Sequence, residues 1–420
     1  MRLAFFVLMA GMSAAASGFR AGAAKADITP DSPQWLMGYA DRQSTGVLDH
    51  IYVRVAAMEA GGEQAYLVSS DLCLFSPSVY DDVVAELQRT MGIPRLSFWW
   101  GVTHSHAAPE VGPPGIYPAL LKGRGGHQWN QEYADFVKQT LIRAVAEARG
   151  KLEPARVTVG QGIAMANINR RAKDVDGRVS LGFNPDGPAD RQIGLIRLER
   201  PDGSPIALLA NYAMHGTVMG GENLLVSGDG PGVVESYLEQ KLNAPVLYFN
   251  GAAGNLAPIY TGRRDASEGH LSQFRVLLGD HILEAARAMG PATDDIKLWT
   301  GEKTILTPQR QGLAWPEELS RYAASEGRPM VKLPVCFLRI NDTLIWSAPV
   351  EMFCETAIAV QNASPFLHTF YFGYTNGWLA YLPTAQAFAE GGYEPNTSPF
   401  TSQAETDLTQ GVIGFMQGLH

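Results

Sequence analysis

Two stretches of the chain place histidine directly after an apolar run: Gly101-Val102-Thr103-His104-Ser105-His106 and Ala213-Met214-His215-Gly216-Thr217. The residues that lead into them, 95–100 and 205–212, are rich in apolar and aromatic side chains, a pattern that predicts β-strands. In α/β proteins the loops after strand ends reach the surface and carry the reacting groups. The two stretches therefore predict an α/β fold with functional histidines at two strand ends.

The spacing of His104 and His106 puts both imidazoles on one face if the chain is extended there, because side chains alternate along a strand. His215, from the second strand end, would add a third imidazole to a divalent metal site. Each histidine also has a plainer interpretation, as a surface residue or a core residue with satisfied hydrogen bonds. The residues alone leave these two interpretations about equally strong.

The composition is that of an ordinary globular protein. The chain has 420 residues, 46% hydrophobic and 18% charged, enough for a substantial core in one large domain or two smaller ones. The formal net charge is -9, and no basic stripe of the kind that binds polyanions stands out. We therefore expect no nucleic-acid partner, and the oligomeric state stays open.

The first residues have the order of a secretory signal. Arg2 precedes an apolar stretch, 3–10, and a run of small residues, 13–16. The apolar stretch is shorter than a membrane span requires. We predict a signal peptide of residues 1–16, a domain of residues 17–420 and export to the periplasm or the exterior, with an uncleaved anchor as the alternative.

Strand-like and helix-like patterns alternate along the rest of the chain. The strand predictions are 52–60, 64–72, 157–163, 192–198, 245–250, 298–306, 335–340, 344–347 and 369–372, and the helix predictions are 79–91, 132–149, 233–242, 271–289 and 406–416. The alternation predicts one large catalytic α/β domain in which mixed β-sheets pack against helices. The stretch 109–129, rich in Gly and Pro, predicts a loop over the histidine site.

Several short motifs, taken in order, resemble those of a known family. They are residues 21–30, Met37-Gly38-Tyr39, residues 49–54, Ser69-Ser70-Asp71, Thr103-His104-Ser105-His106, Asn167-Ile168-Asn169-Arg170, His215-Gly216-Thr217 and Ser227-Gly228-Asp229. Their order and spacing resemble the catalytic N-terminal domain of the neutral/alkaline non-lysosomal ceramidases, over about residues 21–394.

The resemblance implies a zinc-dependent amidase. The positions that match the family's metal ligands are His104, His215, Glu351 and Tyr381. Glu351 also follows an apolar run, so that it too stands at a predicted strand exit. Zinc held by such ligands would lower the pKa of a water molecule to about 7 and polarise a carbonyl group.

Two further residues are candidates for catalysis. His106 would carry a proton between water and the leaving amine, or would instead hydrogen-bond to a metal ligand. Arg170 matches the arginine of the family's Asn-Arg motif. It would hold the substrate oxygen or the charge that develops on it, or would instead form a structural ion pair.

The chain departs from the family pattern after Gly254. Ceramidases carry Gly-Asp-x-Ser-Pro-Asn there, whereas this chain has Asn255, Ala257 and Ile259 at the Asp, Ser and Asn positions. Because Ala257 has no hydroxyl, we expect an N-acyl substrate other than long-chain ceramide. We also expect the family's C-terminal immunoglobulin-like domain to be absent, which leaves at most transient contact with a membrane.

Three functions fit these observations. The first is an exported zinc amidohydrolase that acts on a small-molecule or lipid N-acyl compound. The second is a metal-dependent esterase or phosphoesterase with the same ligands. The third is a non-catalytic binding protein that keeps the fold.

Overall fold

The fold is given by a computed structural model for residues 18–121, 123–262 and 268–419. The predicted signal peptide, residues 1–16, lies outside this part of the chain. Within the described residues no helix combines the length and the apolar character needed to cross a membrane. Cys73, Cys336 and Cys354 are buried as free thiols.

Strands and helices alternate through the described chain. The strands are β1 (Arg20–Asp27), β2 (Trp35–Leu36), β3 (Arg42–Gln43), β4 (Gly46–Val47), β5 (Tyr52–Ala60), β6 (Glu63–Ser70), β7 (Phe98–Val102), β8 (Glu153–Pro154), β9 (Arg156–Ile163), β10 (Asn167–Lys173), β11 (Val179–Asn184), β12 (Gln192–Glu199), β13 (Pro205–Tyr212), β14 (Leu225–Val226), β15 (Val246–Asn250), β16 (Leu256–Pro258), β17 (Leu298–Pro308), β18 (Ala323–Ser325), β19 (Pro329–Ile340), β20 (Thr343–Ser347), β21 (Glu351–Met352), β22 (His368–Phe372) and β23 (Tyr381–Leu382). The α-helices are α1 (Pro77–Met91), α2 (Tyr117–Leu120), α3 (Gln131–Gly150), α4 (Asp229–Leu242), α5 (Glu268–Phe274), α6 (His281–Arg287), α7 (Cys354–Asn362), α8 (Ala385–Glu390), α9 (Tyr393–Asn396) and α10 (Gln403–Leu419).

Three mixed sheets form the framework. Their strand orders are β7-β6-β5-β1-β8, β15-β13-β12-β9 and β17-β19-β20-β22. Each has one parallel pair at an edge, namely β6 with β7, β13 with β15, and β20 with β22, while its other neighbours are antiparallel. A smaller sheet has the order β11-β10-β16. The prediction of one α/β domain with mixed sheets is confirmed.

Helices cover these sheets, and the core lies between the layers. Helix α3 packs on β1 and β5, α4 on β15, α6 on β9 and α10 on β17. Strand β7 is buried on both faces, with Trp99 in one apolar cluster and Trp100 in another. Burial on both faces explains why the sequence of this strand is apolar throughout rather than alternating.

The strand predicted at residues 95–100 begins later in the structure. Arg95–Ser97 forms a 3-10 turn in which the amide of Ser97 donates to the carbonyl of Pro94 at 3.0 Å. Proline fixes its own φ and lacks an N–H, which favours a turn at this point. Strand β7 therefore spans Phe98–Val102, and His104 follows two residues after its end.

Two other regions differ from the sequence prediction. The hairpin of β10 and β11 lies where no strand was predicted, because Asn167–Lys173 is polar and charged and shows no clear apolar alternation. Helix α4 begins at Asp229, so that Gly230, Pro231 and Gly232 lie within its first turn rather than before it. Proline is tolerated there because the amides of a first turn have no partner within the helix.

Helix α1 starts two residues earlier than predicted. Its N-cap is Ser76, whose hydroxyl accepts a hydrogen bond from the amide of Ser78. It ends at Met91, as predicted, and Gly92 caps it in the left-handed conformation with φ of 67°. The predicted helix 271–289 is present as α5 and α6, joined by the π-helical segment Arg275–Asp280.

Candidate metal centre

Two histidines face each other with the same hydrogen-bond arrangement. Nδ1 of His104 donates to the carbonyl of Cys73 at 3.0 Å. Nδ1 of His215 lies 2.7 Å from the carbonyl of Ala253 and 3.1 Å from that of Leu256. Because Nδ1 of each ring is bound to a backbone carbonyl, Nε2 is the atom that each ring turns towards the other side chains of the site. The two ring centroids are 4.6 Å apart.

Glu351 adds a carboxylate to the two imidazoles. Its Oε2 lies 3.4 Å from Nε2 of His104 and 3.2 Å from Nε2 of His215, and all three side chains are buried. The other carboxylate oxygen of Glu351, Oε1, accepts a hydrogen bond from Nε1 of Trp378 at 2.8 Å. Burial alone would raise the pKa of Glu351, but the two histidines hold that pKa well below its ordinary value. The three residues thus form a buried cluster of two nitrogen donors and one anionic oxygen donor.

A glycine allows the two histidine loops to meet. The amide of His106 donates to the carbonyl of Gly216 at 2.9 Å, and Ser105 forms a parallel bridge with Gly216. A Cβ atom on Gly216 would lie 2.5 Å from the carbonyl oxygen of His104, closer than any side chain permits. His104 itself has a φ of 66°, a left-handed conformation that is costly for a residue with a side chain.

The loop that follows His215 is held by a buried carboxylate. Asp229, the first residue of α4, accepts hydrogen bonds from the amides of Val218 and Met219 at 2.9 and 3.0 Å. Burial raises the pKa of Asp229 to about 6, and these backbone amides oppose that shift. Asp229 therefore supports His215 through the chain that follows it.

Arg170 connects three parts of the site. Its guanidinium donates to Nε2 of His215 at 3.0 Å, to the hydroxyl of Tyr381 at 3.1 Å and to a carboxylate oxygen of Glu394 at 2.9 Å. It also lines the cavity described below. The ion pair, one of the two roles that the sequence left open, is present, and the role of Arg170 towards a substrate stays a prediction.

Tyr381 reaches the site through the backbone register. The short strands β21 and β23 are parallel, with Glu351 directly opposite Tyr381. The residue before it, Ala380, has a φ of 69°. This pairing places the phenol next to the carboxylate that contacts both histidines, and its hydroxyl accepts the hydrogen bond from Arg170.

His106 stands at the boundary between the buried donors and the cavity. Its Nε2 lies 3.1 Å from Nε2 of His104, and its ring lies against that of Tyr39 at a centroid distance of 4.9 Å. Burial and the neighbouring histidines hold the pKa of His106 well below its ordinary value, so the ring is neutral. Gly38 fits against this ring, since a Cβ there would lie 2.5 Å from Nδ1 of His106.

A cavity of about 400 Å³ opens onto the site. Its lining includes the polar side chains His106, Arg170 and Tyr381 and apolar groups of Leu181, Phe183 and Ala257. Ala257 lies in β16, paired with Ile168 of β10, so that its methyl group takes a place on the wall. A cavity with apolar walls and a few polar groups at one end is the usual form of a small-molecule site.

The segment 109–129 contributes to the cavity, as the sequence predicted for a loop near the site. It carries Arg124 into the lining and is largely irregular apart from α2. His127 anchors it, with Nδ1 3.2 Å from Asp41, Nε2 2.9 Å from Glu110, and its ring stacked on Trp35 at 4.0 Å.

Sequence reasoning assigned no role to several residues of the site. Tyr374 stacks on His104 at a centroid distance of 4.2 Å, Glu394 pairs with Arg170, and Tyr393 lines the cavity. All three lie in the last part of the chain, far in sequence from the histidine motifs. Only the left-handed backbone of Tyr374, with a φ of 52°, marks one of them as unusual, and that is a property of the fold.

Comparison with known families identifies the chain. A family model described as neutral/alkaline non-lysosomal ceramidase, N-terminal, matches residues 19–297 of the 420-residue chain. The chain belongs to this family. Among curated relatives, neutral ceramidase B of Dictyostelium discoideum is 28% identical over 268 residues, which are 61% of this chain and 36% of that protein. Neutral ceramidase A of the same organism is 28% identical over 301 residues, 66% of this chain and 41% of that protein.

The fold is that of a solved member of the ceramidase family. The crystal structure of neutral ceramidase from Pseudomonas aeruginosa superimposes with a TM-score of 0.78 and 19% sequence identity, covering 96% of this chain and 74% of that chain. The curated protein of that name from Pseudomonas aeruginosa is 24% identical over 252 residues, 57% of this chain and 37% of the relative. The matched region thus spans less than half the length of these curated relatives.

The anchor at His127 predicts a pH-dependent contribution to stability. Burial alone would lower the pKa of His127. The carboxylates of Glu110 and Asp41 raise that pKa above its ordinary value, both through their hydrogen bonds to the imidazole and through their negative charge. The stabilisation is therefore complete below the unfolded-state pKa, about 6.5, and is lost as the pH rises through the higher folded-state pKa. We expect His127→Gln to lower the free energy of unfolding by about 0.5–1 kcal/mol in mildly acidic buffer and by less in alkaline buffer.

Urea unfolding across this pH range measures the effect. His50→Gln is the matched control, because His50 makes a similar contact with Asp27 at an exposed position far from the segment. A difference between wild type and His127→Gln that stays constant with pH would show that the ion pairs do not hold the segment.

Proposed function

We propose that this protein is a zinc-dependent hydrolase that cleaves an N-acyl amide bond. The observation that carries the proposal is the convergence of Nε2 of His104, Nε2 of His215 and Oε2 of Glu351, with the carboxylate within 3.4 Å of both nitrogens, beside a cavity. Two imidazoles and one carboxylate are a donor set typical of catalytic zinc. Membership of a family whose named relatives are neutral ceramidases supports an amide as the bond that is cleaved.

The donor set fits a metal ion on the chemistry of its own atoms. The second nitrogen of each ligand histidine is hydrogen-bonded to a backbone carbonyl, which orients the ring and leaves Nε2 as the donor. The second oxygen of Glu351 is hydrogen-bonded to Trp378. We assign Tyr381 as a fourth ligand on the resemblance and on its place opposite Glu351. Zinc bound by these residues supplies a Lewis acid and lowers the pKa of water.

The remaining polar groups have separate tasks in the proposed reaction. His106, neutral and at the cavity wall, would accept a proton from water on one ring nitrogen and deliver it to the leaving amine. Arg170 would hold the acyl oxygen as negative charge develops on it, because its charge is fixed in place by Glu394. In this scheme His106 acts on the amide nitrogen and Arg170 acts on the acyl group, the two sides of the bond that breaks.

Ala257 shapes the proposed substrate range. Its methyl group lines the cavity where the resemblance places a serine of the ceramidases. Without that hydroxyl, a substrate that depends on a hydrogen bond there loses affinity in the transition state. We therefore propose that smaller or more soluble N-acyl compounds are preferred to long-chain ceramide, and that any contact with a membrane is transient.

Export belongs to the same proposal. The order of Arg2, the apolar residues 3–10 and the small residues 13–16 supports a signal peptide of residues 1–16 followed by the domain of residues 17–420. N-terminal sequencing of protein recovered outside the cytoplasm should begin near Ser17. Soluble cytoplasmic protein that retains Met1 would contradict export.

Metal content tests the centre directly. We expect about one zinc per chain in the purified protein by elemental analysis. His104→Ala should remove both the metal and the activity, whereas His50→Ala, at an exposed histidine, should change neither. Full amide hydrolysis by protein without stoichiometric metal would refute the proposal, and hydrolysis of esters or phosphoesters alone would favour the esterase alternative.

His106 should behave differently from the ligands. If His106 carries a proton in the reaction, His106→Ala should lower kcat by about 10²–10⁴-fold while most of the metal stays bound. Elemental analysis and kcat are measured on the same preparation. Loss of metal equal to that of His104→Ala would instead make His106 a ligand, which its 3.1 Å approach to Nε2 of His104 allows.

The role of Ala257 is tested by substrate comparison. We expect kcat/KM for a short N-acyl amide to exceed that for long-chain ceramide by at least about tenfold, or ~1.4 kcal/mol of transition-state binding. Ala257→Ser should narrow this ratio. It is a cleaner test than the double change with Asn255→Asp, because the Asn255 amide donates to Glu355 at 2.7 Å and an aspartate would set two carboxylates together. A preference of the unmodified protein for ceramide would overturn the argument.

A further inference from the structure

We propose that the amide cleaved by this protein carries a carboxylate on its amine side, as an N-acyl amino acid does, and that Arg124 binds that carboxylate. The inference rests on the proposed amide hydrolysis and narrows its substrate class. It follows from the charges of the cavity, from the support of Arg124 and from the apolar wall that accompanies it.

The charge of the cavity lining is positive. The lining contains two guanidinium groups, Arg124 and Arg170, and no Asp or Glu among its described residues. The charge of Arg170 is matched by Glu394 at 2.9 Å. Among the described residues Arg124 has no carboxylate within ion-pair distance, so its charge is available to a ligand.

Arg124 is held in position rather than free in solvent. The residue that follows it packs on Tyr117, since a Cβ there would lie 3.5 Å from the Tyr117 ring, and the Tyr117 hydroxyl donates to the carbonyl of Tyr39 at 3.3 Å. This residue, Gly125, donates its amide to the carboxylate of Asp41 at 2.9 Å. The His127 anchor completes the attachment of the segment. A guanidinium fixed in this way loses less conformational entropy when it binds a ligand.

Arg124 shares its cavity with the proposed catalytic groups. His106, Arg170 and Tyr381 line the same cavity, as does Tyr393, whose ring lies 5.6 Å from that of Tyr381. A substrate bound in this cavity is therefore exposed both to Arg124 and to the groups of the proposed reaction.

The hairpin of β10 and β11 supplies the apolar part of the lining. Leu181 and Phe183 are 54% and 49% exposed, although large apolar side chains are usually covered. An acyl chain laid along them would remove apolar surface from water, which favours binding by about 25 cal/mol per Å². One end of the ligand is thus expected to be apolar and the other anionic.

An N-acyl amino acid matches both ends. Its carboxylate is planar and accepts the paired N–H donors of a guanidinium, while its acyl chain suits the hairpin. In hydrolysis the oxygen of one water bonds to the acyl carbon, and the C–N bond breaks with its electron pair left on nitrogen. The protons released from water go to that nitrogen, so the products are a fatty carboxylate and a free amino acid as its ammonium form.

The test compares two amides that have the same acyl chain, one with a free carboxylate on the amine side and one without it. N-decanoylglycine and its methyl ester differ only in the carboxylate, and release of the fatty acid is measured for both. We expect kcat/KM to favour the acid by at least about 10-fold, the size of a charge-assisted hydrogen bond. Arg124→Met should bring the ratio of kcat/KM for acid and ester to about one, whereas Arg124→Lys should restore part of the preference for the acid.

A binding measurement separates this inference from the proposed function. The probe is the ketone analogue of N-decanoylglycine, in which a methylene group replaces the amide nitrogen, together with its methyl ester. Calorimetry should give tighter binding of the acid to the wild type and equal binding of both to Arg124→Met, with unchanged thermal unfolding of the variant. Equal kcat/KM for acid and ester, or an unaltered preference in Arg124→Met, would overturn the role of Arg124 while amide hydrolysis stands. Failure to hydrolyse either compound, with the acid analogue still bound through Arg124, would count against hydrolysis alone.

Discussion

The backbone contact between Gly216 and His104 is the constraint on which the candidate metal centre depends. It fixes the distance between two loops that leave different sheets, and any side chain at position 216 would separate them. The left-handed φ of His104 is the local cost of that approach. Because the strain is held by the hydrogen bond from His106 to Gly216, the two imidazoles can keep one relative position without a ligand between them.

The charges in the site depend on the burial of its side chains and on which ring nitrogens donate hydrogen bonds. Each of the two histidines donates its Nδ1 proton to a backbone carbonyl, so that Nε2 of each ring faces Glu351. Burial and the nearby guanidinium of Arg170 lower the pKa of His215 to about 3, which keeps it neutral over the physiological range. Glu351 stays ionised beside them. The site therefore combines one buried carboxylate with two imidazoles, a set suited to a divalent cation.

The donor cluster and the cavity walls are built largely from different segments of the chain. The donor cluster lies at one end, on loops that follow β7 and β13 and on the short strand β21. The walls come from other segments, chiefly the hairpin of β10 and β11 and the segment 109–129. The two parts are nevertheless in contact, because Arg170 of β10 donates to Nε2 of His215 and the carbonyl of Leu256, next to Ala257, lies 3.1 Å from Nδ1 of the same histidine.

The sequence by itself determined the α/β class, the mixed sheets and the placement of His104 and His215 after strands, because apolar runs and turn residues are local signals. The resemblance to a family selected Tyr381 and Arg170, which no local pattern marks, and Glu351, which also follows an apolar run. Only the tertiary structure placed Glu351 between the two histidines, Tyr381 opposite Glu351, and Glu394 against Arg170. The first and third of these contacts join segments more than a hundred residues apart. The geometry of all three is set by strand register and by close backbone approach, neither of which a periodic pattern encodes.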